Sequence, residues 1–219
     1  MGDSGHPPKA ARPATYTWLM TDTNKLADAV DRARRIKVLI FDVDGVLTEG
    51  GITVHPLADG TSTEPKTFSA HDGMGMAIGK LGGLRIGVVT KRQSQAVAIR
   101  SRDLKLEFVY QNSAHKLDAI AEILKATNCT PDQLCYVGDD IVDLPVMRMC
   151  GLAIAPANAR PEARAAAHWI TPMLGGQGAG RDAIDFILGA QGSLERVIEQ
   201  YLDASDPTAR ASDIGTGSM

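Results

Sequence analysis

The sequence predicts an α/β domain, three layers of α/β/α around a parallel sheet, from three observations. Short β-branched apolar runs alternate with longer segments of helical period. Several of those runs give way abruptly to charged or hydroxyl residues, and the longest, such as 38–41 and 86–89, have the length of strands. Runs of this kind are strands buried on both faces, and alternation with helices favours parallel crossovers. The 219 residues, 44% of them hydrophobic, are enough to bury one core, and that length favours a single domain.

Taken in order, residues 1–21 are rich in Pro, Ala and Gly without periodicity and are expected to be a disordered N-terminal extension. They contain no apolar h-region of a secretory signal. Met20 reads as a natural start, and Thr21 to Asn24 as a helix entry. The folded part is expected over 22–204, with 205–219 a loose polar tail. Strands are expected at 36–41, 84–90, 108–110, 134–138 and 152–155, and helices near 73–82, 93–103, 116–127, 141–150 and 160–167. Two more helices, near 180–190 and 193–203, close the domain. Thr130, Pro131 and Gln133 form a capping-box start ahead of the fourth strand. One insertion, about 50–70, breaks the alternation: GGITVHP and EPKTFSA flank LADGTST and read as a β-hairpin turning at Asp59 and Gly60.

Composition excludes some functions. A formal charge of -3 with no Lys/Arg-rich block gives no footprint for nucleic acid. No apolar run approaches the ~20 residues of a membrane-spanning helix. Cys129, Cys135 and Cys150 are odd in number and lack metal-ligand spacing, so they are expected to be reduced core thiols of a cytoplasmic protein.

The chemistry is concentrated at strand ends. DVDGVLT at 42–48 follows the strand KVLIF, so Asp42 and Asp44 stand one residue apart at the sheet's C-terminal edge. Desolvated carboxylates so close repel each other and call for a cation or a shared proton. Magnesium, a hard ion held by one or two carboxylates plus phosphate oxygens, answers that need. A calcium EF-hand loop is rejected by spacing, because Val46, Leu47 and Thr53 stand where an acid, a glycine and a glutamate are due. GDDIVDLP at 138–145 repeats the pattern after LCYV, supplying Asp139, Asp140 and Asp143. Between the two clusters, Thr90 ends a strand and Lys116 opens a helix, the hydroxyl and fixed cation that a phosphoryl group requires. GMGMAIG and GGQGAG hint at nucleotide loops, but neither follows a predicted strand with the required spacing.

This order of acid pair, hydroxyl, lysine and acid cluster resembles the four motifs of the haloacid dehalogenase superfamily, which implies a Rossmann-like sheet. The resemblance makes Asp42 the nucleophile, Asp44 the general acid and base, and Thr90 and Lys116 the holders of the phosphoryl group. It assigns Asp42, Asp44 and Asp139 to Mg2+, with Asp140 and Asp143 behind the metal or orienting the lysine. Too little chain lies between the motifs for a separate cap domain, so the type is capless, and a neighbouring subunit is expected to close the site. The capless outline, with FSAHDGMGM, VTKRQS and GGQGAGRDAID over about 36–190, is similar to the 3-deoxy-D-manno-octulosonate 8-phosphate phosphatase family of lipopolysaccharide precursor synthesis. That likeness implies a homotetramer, with hairpins in contact and the glycine-rich segment near an active site, acting on a phosphorylated sugar acid. Lys66, His71, Arg92 and Arg181 are then candidates for binding substrate. Two departures, His71 for the family's Arg and Lys91 for its Gly, keep open another sugar-acid phosphate such as a nonulosonate 9-phosphate. An inactive relative kept for assembly is the alternative of another class. A phosphoacceptor receiver domain has similar parts in the wrong order, since Thr90 occupies the strand end where its aspartate belongs.

Overall fold

The computed structural model describes residues 23–205. The expected disordered ends fall outside these residues, except that Ser205 closes the last helix. The chain runs α1 (Thr23–Ala33), β1 (Val38–Phe41), β2 (His55–Pro56), β3 (Ser62–Thr63), α2 (Ala70–Leu81), β4 (Arg85–Val89), α3 (Gln95–Asp103) and β5 (Phe108–Tyr110). It continues through α4 (Lys116–Thr127), a 3-10 turn, β6 (Leu134–Val137), α5 (Leu144–Met149), β7 (Leu152–Ala155), α6 (Pro161–Ala166), β8 (Trp169–Ile170), α7 (Ala179–Ala190) and α8 (Leu194–Ser205). The six strands β5-β4-β1-β6-β7-β8 form one parallel sheet.

Strand alternation divides the core into two layers. Leu39, Phe41, Val137 and Ile154 face a cluster that includes residues of α1, α2, α7 and α8, whereas Val38, Ile40, Tyr136 and Ala153 face one built with α4, α5 and α6. All four residues of β1 are buried, as expected of a strand covered on both sides. Trp169 and Phe186 stack face to face with centroids 4.2 Å apart and tie β8 to α7. β8 has no counterpart in the sequence prediction, because two residues carry too little period to register.

The hairpin is shorter than predicted. Its ladder pairs His55 with Thr63 and Pro56 with Ser62, so the second strand lies within the expected loop, and 64–69 runs as irregular chain into α2. Pro65 explains part of this, since it has no N–H to donate to a ladder. The turn falls where expected: Gly60 takes φ +82°, and the Asp59 carboxylate accepts the Thr61 N–H and hydroxyl at 3.0 and 2.6 Å. Ile52, Val54 and Leu57 leave apolar surface exposed here. Among the described residues no helix is long and apolar enough to cross a membrane.

Candidate active site

From β1 the chain builds one side of the sheet through β4 and β5, then the other through β6, β7 and β8. That reversal opens a crevice past the C-terminal end of β1, where open α/β sheets bind ligands. Phe41 pairs with Val88 and with Val137, so Asp42, Thr90 and Asp139 emerge from three adjacent strands at this edge. Asp42 donates its N–H to the Val137 carbonyl and Thr90 donates to that of Tyr110, both at 2.9 Å.

Lys116, the first residue of α4, closes the group from the opposite layer. Its buried ammonium lies 2.9 Å from Asp42 Oδ1, 2.7 Å from Asp143 Oδ1 and 3.0 Å from the Tyr136 hydroxyl. Tyr136 in turn donates to Asp143 Oδ1 at 2.8 Å, and Asp143 Oδ2 accepts the N–H groups of Asp139 and Asp140 at 3.0 and 3.3 Å. Asp143, fully buried, thus spends both oxygens on organising its neighbours. Asp140 is exposed and accepts the Ile141 N–H at 2.6 Å.

The electrostatics follow from burial. Desolvation and the Asp143 charge push the Asp42 carboxyl up to about 6, against the pull of Lys116. Desolvation and the charges of Asp42, Asp143 and Asp140 push Asp139 up to about 7. Burial works to lower Lys116, but Asp42 and Asp143 outweigh it and hold the ammonium above its ordinary value. Lys116 therefore stays charged at neutral pH, while the carboxyls together need more positive charge than it supplies.

Carboxylate oxygens of Asp42, Asp139 and Asp143 lie within 4.8 Å of one another. Asp139 Oδ1 is buried without a hydrogen-bond partner, and an orphaned carboxylate oxygen beside a second carboxylate fits a hard divalent cation. Asp42 and Asp139 would hold it, with Asp143 fixing both from behind. The Asp44 carboxylate pairs with Lys66, with Arg92 Nε 3.9 Å away, and is not among the carboxylates grouped with Asp42, Asp139 and Asp143. Gly45 explains how the carboxylate of Asp139 reaches its place. At φ +91°, a Cβ on Gly45 would stand 2.1 Å from Asp139 Oδ2, so a side chain is excluded both sterically and conformationally.

The candidate substrate cations are divided. Lys66 is sequestered, its side chain 4% exposed against Asp44, whereas that of Arg92 is 40% exposed and also grips Glu64 at 2.6 and 2.8 Å. His71 is exposed in the first turn of α2. The Arg181 guanidinium bonds Asp185 at 2.7 Å, along its own helix. Hydrogen bonds and ion pairs thus join Asp42, Lys116, Asp139 and Asp143 into one group, and Asp44 with Lys66 and Arg92 into a second.

Residues 89–178 match the family model for haloacid dehalogenase-like hydrolases. The 3-deoxy-D-manno-octulosonate 8-phosphate phosphatase of Yersinia pestis is 37% identical over 168 residues, 77% of this chain and 88% of that protein. This chain belongs to the haloacid dehalogenase-like hydrolases. Within that family, the solved phosphatase of the same description from Moraxella catarrhalis, in complex with magnesium ion, phosphate ion and KDO, superposes with TM-score 0.75 at 31% identity. It covers 82% of this chain and 99% of its own. The cobalt-bound form of the Haemophilus influenzae deoxy-D-mannose-octulosonate 8-phosphate phosphatase gives TM-score 0.71 at 32% identity, covering 78% and 99%. The chain is accordingly a phosphatase, a hydrolase of phosphoric monoesters.

For this hydrolase, sequence reasoning overlooked Tyr136, Glu64 and Gly45. Tyr136 carried a signal: a tyrosine inside a fully buried run needs a partner for its hydroxyl. Glu64 and Gly45 carried none, because their roles depend on what the fold places opposite them.

Proposed function

We propose that this hydrolase cleaves 3-deoxy-D-manno-octulosonate 8-phosphate to the free sugar acid and phosphate, with Mg2+ as cofactor and an aspartyl-phosphate on Asp42. The observation that carries the chemistry is a buried Asp42 carboxylate 2.9 Å from the Lys116 ammonium and grouped with an Asp139 whose inner oxygen has no partner. Asp42 attacks phosphorus, forming a P–O bond as the ester P–O bond breaks, and Asp44 gives its proton to the departing alkoxide. Asp44 then takes a proton from water, which attacks phosphorus, breaks the bond to Asp42 and releases phosphate. Thr90 and Lys116 hold the phosphoryl oxygens. Bound Mg2+ supplies positive charge that offsets the dianion as it meets the carboxylates.

The substrate rests on the relatives, one of which is described with KDO bound. Arg92 is the better-placed cation for a substrate carboxylate, Lys66 being buried against Asp44. A second reading, a nonulosonate 9-phosphate, is kept open by His71, which offers a carboxylate one hydrogen bond where the Arg usual in the resembled family offers two. The exposed Ile52, Val54 and Leu57 support assembly through the hairpin, into the homotetramer that the resemblance implies. The deciding experiment measures phosphate release from octulosonate, nonulosonate and ordinary sugar phosphates, with Mg2+ and with chelator. Preference of about a hundredfold or more for the octulosonate ester is expected, as is loss of turnover in Asp42→Asn. Equal rates on all esters would reduce the reading to a general phosphatase.

A further inference from the structure

Asp72 is buried on α2, outside the residues assigned to the chemistry, and its environment connects it to them. The N-cap position of α7 is Gly178, at φ +114°, which has no side chain to satisfy the helix's first N–H groups. Asp72 Oδ1 satisfies one of them from another helix: it accepts the Arg181 N–H at 2.9 Å. Two glycines permit the approach. A Cβ on Gly180 would stand 3.0 Å from Asp72 Oδ1, and one on Gly75 3.0 Å from Arg181 Cα.

The loop that enters α7 lies directly on the nucleophile's turn. Gly176 donates its N–H to the Val46 carbonyl at 2.9 Å. A Cβ on Gly175 would fall 1.8 Å from the Gly45 carbonyl oxygen, and one on Gly176 2.5 Å from the Glu49 nitrogen. Gly45 in turn shapes the space that Asp139 occupies.

We propose that Asp72 is a positioning residue for the phosphatase reaction: by capping α7 from α2 it pins loop 175–178 onto the backbone of 45–49, and so fixes Gly45 between Asp44 and Asp139. The inference rests on the active-site reading above but not on its substrate. Asp72→Ala removes the cap, whereas Asp72→Asn keeps an oxygen acceptor in place. For Asp72→Ala, kcat on p-nitrophenyl phosphate with Mg2+ falls about tenfold or more with KM little changed, and Asp72→Asn restores it. Hydrogen exchange at 45–49 and 175–178 accelerates about tenfold in the Ala variant while β1 and β6 stay protected. An unchanged kcat in Asp72→Ala, or an Asn variant as impaired as the Ala one, overturns the proposal. Should Asp72→Ala fail to fold, Gly180→Ala crowds the same oxygen while favouring the helix, and the same losses are expected of it. Wild-type protein inactive on every ester would sink the catalytic reading. The exchange measurement still tests the cap in that case, and unchanged protection at 45–49 overturns it.

Discussion

Lys116 neutralises only part of the charge around it, and pH dependence follows. Asp42 and Asp139 sit near 6 and 7, above the ordinary carboxyl value, so the metal-free fold holds protons there that the unfolded chain has already lost. Its stability therefore falls as pH rises from about 4 through 7, and a metal must displace those protons to bind. Apparent Mg2+ affinity should drop about tenfold per pH unit between 7 and 6, and more steeply below 6. Calorimetry in buffers of different ionisation enthalpy should detect proton release on binding; an affinity flat from pH 5.5 to 8 would contradict this. Tyr136 supplies a second test. Tyr136→Phe strands Lys116 and Asp143 without their shared hydroxyl, with an expected loss of about 1–2 kcal/mol in urea unfolding and a slower turnover. At this scale the sequence disclosed residue types and their order, and the fold brings Asp42, Lys116, Asp139 and Asp143 together. The sequence did not disclose the partner of the Asp44 carboxylate, because no local pattern announces that Lys66, drawn in from the hairpin's return, will pair with it.

Strand termini do the positioning, and the elements were legible wherever a run was long and buried. The strands at 38–41, 85–89, 134–137 and 152–155 appear as apolar runs because helices cover both faces. β3 and β8 escaped for the opposite reason: two residues each, the first exposed and the second short, leave no period to read. Turns matter as much as strands here. Gly45→Ala would force a side chain into the Asp139 carboxylate at a backbone angle that L-residues avoid. A loss of about 1–3 kcal/mol is expected, together with Mg2+ affinity lowered about tenfold or more. Thermal melts with and without Mg2+ would separate the two effects, and a variant retaining wild-type affinity would show that Asp139 does not need this approach.

The described residues form one six-stranded parallel sheet, with Asp42, Thr90 and Asp139 at its C-terminal edge, and a separate two-stranded hairpin. The hairpin leaves Ile52, Val54 and Leu57 exposed. Replacing these three with Ser should leave the circular dichroism spectrum unchanged and lower the mass measured by light scattering. An unaltered mass would contradict assembly through the hairpin. The hairpin also bears on how such an enzyme diversifies. Residues 50–63 are exposed throughout, leaving the core beyond the loop that follows Asp42 without filling either packed layer. Doubling the length of such an excursion costs only about 0.6 kcal/mol of closure entropy. It is therefore a splice point, where one lineage or one engineer could exchange the segment for another and alter which ester is admitted, while the phosphoryl-transfer apparatus below is inherited intact.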